Sequence, residues 1–296
     1  MGKGNAALTR AKREKNDEFY TQKKDIESEL IYYHNHLKDK IVYCNCDDYR
    51  KSKFVEYFME NFNKIGLKKL VSTGFSKDGQ GTYSEYDGTV FKTGFLKGNG
   101  DALGEECTEI LKQADVVVTN CPFSLFRKYV SHLMKYGKKF LIIGNMNAIT
   151  YKEIFPYIKN NELWLGIHSN KTMDFGMPNT YEKWDRIENG IKIGKVPAIS
   201  WFTNIPHNHR NTPLDLYKKY SADEYKRYDN YDAIEVSKVS EIPMDYDGVI
   251  GVPITFLDKY CPTQFEIVKF RKGDDDKDLS VNGKCPYFRI LIRRKK

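Results

Sequence analysis

Long apolar runs, paired cysteines and glycine-rich loops are scarce in this sequence. No stretch approaches the roughly 18 apolar residues of a membrane-crossing helix, so a chain that spans a membrane is not expected. No C-x-x-C pair occurs. The six cysteines, Cys44, Cys46, Cys107, Cys121, Cys261 and Cys285, are scattered, which argues against a zinc site and for a reduced, cytoplasmic chain. The opening Met1-Gly2-Lys3-Gly4-Asn5-Ala6 lacks the Ser or Thr that favours myristoylation, and no secretory pattern is seen. The first buried-strand pattern ends without the glycines that let a backbone approach a nucleotide closely.

What is present is bulk and basic charge. With 296 residues and 40% hydrophobic content the chain can bury a full core in one large domain or two. A formal charge of +8 and 14% aromatic residues suit a protein that meets a polyanion and stacks on exposed bases, and equally suit a soluble enzyme from a lysine-rich proteome. Residues 1–15 carry Lys3, Arg10, Lys12, Arg13 and Lys15 with little apolar content, which predicts a mobile basic arm.

The organising stretch is Ala114-Asp115-Val116-Val117-Val118-Thr119-Asn120-Cys121-Pro122-Phe123-Ser124. Its valines predict a strand buried on both faces, and Thr-Asn-Cys-Pro-Phe a tight polar turn at the strand's carboxyl end, where open α/β sheets place their chemistry. Around it, strands are predicted at Lys40–Cys46, Lys69–Phe75, Gly94–Lys97, Lys139–Ile143 and Leu163–Ile167. Helices are predicted near Lys23–Lys38, Lys51–Ile65, Leu125–Tyr136 and Tyr151–Lys159. This alternation predicts an α/β fold with a mostly parallel sheet and right-handed crossovers. Asp87-Gly88 predicts a hairpin inserted beside the sheet, and Ile199–Asn204 a returning edge strand.

Several residues at these strand ends are candidates for binding. Cys44 and Asp47 close the first strand, where an acid can take nucleoside hydroxyls or a cationic group. Asp101, just past Gly98-Asn99-Gly100, reads either as an acceptor for a ligand amine or as a helix cap. Phe19, Tyr20 and Thr21 read either as a ligand-contacting turn or as a hydrophobic staple into the following helix. His207 and His209 form a His-x-His pair with no third ligand in view, so no metal site is expected; phosphate contact through Arg210 is the alternative use of that loop.

Asn120-Cys121-Pro122-Phe123 resembles the Asn-Pro-Pro-Phe/Tyr loop of adenine N6-methyltransferases, with Cys121 in place of the first proline. The chemistry suits these residue types. An adenine amine is a poor nucleophile because its lone pair is delocalised, so acceptors that hold its hydrogens assist transfer. Asn120 offers a side-chain oxygen, and residue 121 a backbone carbonyl that survives the change from Pro to Cys. Pro122 stiffens the turn, and Phe123 is placed to stack on an extruded base. A plain strand-to-helix turn with Asn120 as a local cap is the other reading. Covalent catalysis by Cys121 is disfavoured, because cytosine C5-methyltransferases carry Pro-Cys where this chain carries Cys-Pro.

The resemblance extends from about residue 16 to residue 296 and is to the EcoRI-type adenine-specific DNA methyltransferases. It is carried by Asn16–Thr21, Ala114–Phe126 and Gly144–Thr150, and by the late blocks Trp201–Asn204, Tyr228–Ile234 and Asp245–Leu257. It implies a Rossmann-like methyltransferase sheet, S-adenosylmethionine as cofactor, and methyl transfer to adenine N6 in double-stranded DNA. By position it implies Asn120, Cys121, Pro122 and Phe123 in catalysis, and Phe19, Tyr20, Thr21, Cys44, Asp47, Asp101 and Asn120 at the cofactor. The expected division is a catalytic domain over residues 16–205 and an irregular DNA-recognition region over 206–296. A companion restriction endonuclease acting on the same site is compatible with this reading. The alternatives are an RNA or protein-amide methyltransferase and a DNA-binding protein that no longer methylates.

Overall fold

The computed structural model describes residues 19–178, 181–182 and 184–295, so the basic arm expected over residues 1–15 lies outside the described residues. Two compact units form. The first holds the described residues up to Ala148 together with Leu165–Ile205; the second holds Ile149–Trp164 and Pro206–Lys296.

The first unit opens with β1 (Tyr20–Thr21), α1 (Lys23–Leu30), a 3-10 turn at Ile31–Tyr33 and α2 (His34–Leu37). Next come β2 (Ile41–Asn45), α3 (Lys53–Glu60), α4 (Phe62–Ile65) and β3 (Lys69–Gly74). A hairpin of β4 (Thr82–Tyr86) and β5 (Phe91–Phe95) leads to α5 (Glu105–Gln113), β6 (Val116–Thr119), α6 (Phe126–Lys135) and β7 (Lys139–Asn145). In the second unit lies α7 (Phe155–Lys159), and β8 (Trp164–Leu165) spans the boundary in sequence between the units. Back in the first unit are β9 (Lys171–Gly176), β10 (Arg186–Glu188) and β11 (Ile191–Thr203).

Local sequence accounts for these elements. In α6, Phe126, Tyr129, Val130 and Leu133 fall at i, i+3, i+4 and i+7 and all are buried, which makes one apolar stripe facing the sheet. Ser52 starts α3 by accepting the N–H groups of Phe54 and Val55 at 3.1 and 3.3 Å. Gly66, at φ +74°, ends α4 in the left-handed conformation that glycine adopts most readily. Each fully buried ring in this core, such as Phe58, contributes roughly 1.5–3 kcal/mol relative to exposure.

The sheet of the first unit runs β1-β9-β11-β7-β6-β2-β3-β4-β5, with β10 paired to β11. The expectation of a mostly parallel sheet is corrected here. β2 pairs parallel with β3 and β6, and β6 with β7, but the flanking pairs are antiparallel. Chain length decides this. The links Phe75–Gly81 and Asp87–Val90 are shorter than the roughly dozen residues a parallel crossover needs. The strand predicted at Gly94–Lys97 is therefore the return arm of the hairpin, and the hairpin is the sheet's own margin instead of an insertion.

A second correction concerns β11, which lies inside the sheet and not at its edge. It pairs with β9 from Ile193 to Ile199, with a bulge between Val196 and Ile199 where Ala198 has φ +57°, and with β7 through Ile199–Thr203. From β2 the chain passes to β3 on one side, and β6 then joins β2 on the other, so the strand order reverses at β2, the kind of switch point at which open α/β sheets bind ligands.

The second unit is built on a sheet of order β12-β13-β15-β14, comprising β12 (Ala233–Glu235), β13 (Val249–Pro253), β14 (Phe265–Phe270) and β15 (Arg289–Arg294). Tyr228, Ala233, Val249, Leu279 and Leu291 form its core, and Phe155 of α7 packs on Phe270 with ring centroids 4.8 Å apart. No helix among the described residues is long and apolar enough to cross a membrane.

Candidate active site

The carboxyl ends of β2 and β6 meet in one polar cluster. Asn45 holds three elements together: its Oδ1 accepts from the Cys46 N–H at 3.1 Å and from Thr73 Oγ1 of β3 at 2.9 Å, and its Nδ2 donates to the Ala102 carbonyl at 3.3 Å. Thr119, the last residue of β6, contacts the Asn45 carbonyl and Asp47 Oδ2, the latter at 2.5 Å. Ser52 donates to Asp47 Oδ1 at 2.6 Å, and the Asp47 N–H donates to the Thr73 carbonyl at 2.7 Å. The ends of β2, β3 and β6 and the start of α3 are thus fixed to one another.

Asn120 follows directly. Its Nδ2 donates to the Phe19 carbonyl at 2.6 Å, and its Oδ1 is buried with no hydrogen-bond partner among the described residues. A buried acceptor left unbonded is costly, and it is aimed by the bond its own nitrogen makes. Thr21 Oγ1 is a second buried, unbonded polar atom, on the same amino-terminal segment. That segment is held by β1, which pairs Tyr20 with Gly176 and Thr21 with Phe175, while Lys51 lies 6.0 Å from the Tyr20 ring.

The aromatic residues are packed among themselves. Phe19 meets Phe123 at 5.9 Å, Phe175 at 6.1 Å and Tyr181 at 5.4 Å between ring centroids. Phe123 is 5% exposed, so a base reaches its face only if Phe19 or Phe175 gives way. Cys121 is 1% exposed, which does not suit a nucleophile that must meet a substrate. The Cys44 side chain is sealed in the core, and burial pushes its thiol well above the ordinary range, Asp47 adding to the shift.

The acids divide. Asp101 is exposed and its Oδ1 accepts the Leu103 N–H at 3.0 Å, a local turn ahead of α5, whose amino-terminal cap is Gly104 with no side-chain cap bond, so Asp101 does not cap the helix. Asp47 points inward with both oxygens bonded to hydroxyls, and burial pushes its carboxyl up to about 7 despite those two bonds. Its carboxyl is therefore enclosed among the strand ends.

The glycines missing from the first strand are supplied by three other elements. Gly74 ends β3, Gly81 begins the hairpin, and Gly100, at φ +79°, lies against both. A Cβ on Gly81 would sit 2.6 Å from Gly100 backbone, and one on Gly74 would sit 2.7 Å from Asp48. These three buried glycines let the chain segments pack on one another. The sequence signal was present only as three isolated glycines, and Asn45, Ser52 and Thr119 carried no signal beyond their positions at element ends.

His207 and His209 belong to no group of three His, Cys, Asp or Glu able to hold a metal among the described residues. Arg210 stacks 3.7 Å from the Trp164 ring centroid and donates to Asn161 Oδ1 at 2.8 Å, so its guanidinium is already fixed.

Comparison with known proteins places the chain among the adenine-specific methyltransferases. The family model described as adenine-specific methyltransferase EcoRI matches residues 7–95 and 87–295, and the chain belongs to that family. It is 50% identical to the Type II methyltransferase M.EcoRI of Escherichia coli over 317 residues, 99% of this chain and 97% of that protein. It is 40% identical to the Type II methyltransferase M.MgeORF184P of Mycoplasma genitalium, covering 97% and 98%. It is 38% identical to M.MpnI of Mycoplasma pneumoniae, also over 97% and 98%. No solved structure matches.

Proposed function

We propose that the chain is a sequence-specific DNA adenine N6-methyltransferase that uses S-adenosylmethionine, and that Asn120 holds the target amine. The observation that carries this reading is the Asn120 side chain, anchored through Nδ2 and presenting an unbonded Oδ1 at the carboxyl end of β6. The bound cofactor brings an electrophilic sulfonium methyl group. Oδ1 accepts one amine hydrogen and the carbonyl of residue 121 accepts the other, which draws the nitrogen lone pair out of the ring for attack. Pro122 fixes the turn that presents both acceptors.

The residues fit the cofactor. The order of the parallel strands supports a Rossmann-like core with its ligand at the switch point between β2 and β6. Asp101 carries an exposed carboxylate for the cofactor's adenine amine, and Phe19, Tyr20 and Thr21 contribute from the amino-terminal segment. Cys44 contributes through its backbone, since its thiol is sealed.

The net charge of +8 supports phosphate binding by Lys and Arg, with base identity read by side chains of the 206–296 region. A restriction endonuclease sharing the site is the companion that a Type II role implies. The test is transfer of labelled methyl groups to unmethylated duplex DNA in competition with RNA and protein. Label in the DNA at adenine N6, with RNA competing weakly, supports the reading; label that follows RNA or protein overturns it.

A further inference from the structure

We propose that Asp47 acts as a neutral carboxylic acid that donates a hydrogen bond to Thr119, and so positions the Asn120 loop, in place of a charged contact to the cofactor. This rests on the reading of Asn120 above and adds a residue that acts through it.

Counting protons leads there. Ser52 Oγ already accepts the N–H groups of Phe54 and Val55, so its single proton goes to Asp47 Oδ1 at 2.6 Å. Thr119 Oγ1 touches both the Asn45 carbonyl and Asp47 Oδ2. It has one proton, and a carbonyl supplies none, so the contacts to the Asn45 carbonyl and to Asp47 Oδ2 are both hydrogen bonds only if the carboxyl carries a hydrogen.

The surroundings agree. Asp47 is 8% exposed, and no described cation forms an ion pair with it; the nearest one in sequence, Arg50, is bound to Asp48. The groups that face it are the Ser52 hydroxyl at the start of α3, the Thr119 hydroxyl of β6 and the Cys44 thiol of β2. The amino terminus of α3 favours an anion, but Ser52 takes its first free N–H groups. Burial is the largest influence and lifts the carboxyl to about 7.

Protonation thus closes a relay from Asp47 to Thr119 to Asn45 across the joint between β6 and β2. Ionisation breaks it, because Asp47 Oδ2 and the Asn45 carbonyl then compete for one proton. The stability this group contributes is full below its ordinary value near 3.8 and is lost as pH rises through about 7.

The experiment compares cofactor-free wild type with Asp47→Asn, whose amide keeps a donor toward Thr119. Unfolding by denaturant from pH 5 to pH 8 is expected to show wild type losing stability relative to Asp47→Asn as pH rises. Infrared difference spectra at pH 6 are expected to show a protonated carboxylic acid C=O band in wild type that the variant lacks. In turnover, Asp47→Ala is expected to lower kcat about tenfold with a smaller change in KM for S-adenosylmethionine, and Asp47→Asn to recover most of that loss. An Asp47→Asn variant that is less stable than wild type at pH 8 than at pH 5, lacks any band difference, or raises KM tenfold while kcat holds would show a carboxylate that binds cofactor. The stability and infrared readings need no methyl transfer, so they stand or fall separately from the role given to Asn120.

Discussion

One buried polar centre in each unit is built differently. In the first, Asn45, Asp47, Thr73 and Thr119 form a neutral network at strand ends, and beside it Asn120 keeps one acceptor unbonded. In the second, the buried polar centre is an ion pair. Arg289 clasps Glu235 through Nε and Nη2 at 2.7–3.1 Å, the side chains being 10% and 11% exposed, and Tyr228 donates to the same carboxylate. The pair satisfies its own carboxylate within its own sheet; beside the network, Asn120 Oδ1 is left without a partner among the described residues.

Breaking the closed pair gives the largest effect on folding. Arg289→Ala leaves Glu235 buried and unpaired, and is expected to cost about 3–5 kcal/mol in a denaturant titration. A loss under 1 kcal/mol would mean that the two units do not differ as described.

Breaking the open site moves chemistry instead. Asn120→Ala is expected to lower single-turnover methyl transfer by roughly 10²–10³-fold, the scale for one preorganised polar group at a reacting centre. Cofactor affinity, read by titration, is expected to stay within about threefold. Equal losses in both would place Asn120 at the cofactor alone.

Part of this contrast was legible in the sequence. The valine run of β6, the stripe of α6 and the Asn120 turn are local patterns, and each fell where its spacing put it. Neighbour relations were not local. Nothing in Ile199–Asn204 tells an inner strand from an edge strand, because pairing with β7 and β9 is decided by distant residues. The inward turn of Asp47 was hidden for the same reason: its partners Ser52 and Thr119 lie 5 and 72 positions away. Gly74, Gly81 and Gly100 pack against one another only once three elements meet.

That meeting point gives a smaller effect. Gly100→Ala forces a side chain into a left-handed backbone against the Gly74 carbonyl, and is expected to cost about 1–3 kcal/mol in a denaturant titration. Gly94→Ala, with nothing within 4 Å of its Cβ, is expected to stay within about 0.5 kcal/mol in the same assay.

The smallest effect is electrostatic. Glu29 is fully buried and accepts the N–H groups of Ile167 and His168 and the His168 Nδ1–H, which raises the imidazole above its usual 6.5. A raised value means stability that is complete below 6.5 and lost as pH climbs through the folded-state value. His168→Gln is expected to flatten the dependence of melting temperature on pH above 6.5; an unchanged slope would assign it to another group.

The account turns on Asn120 as the group that holds an adenine amine. The most direct test is nucleoside analysis of unmethylated duplex DNA after incubation with S-adenosylmethionine and either wild type or Asn120→Ala. N6-methyladenine formed by wild type and lost in the variant is the predicted result. N6-methyladenine formed equally by both, or label recovered only in cytosine, would contradict it.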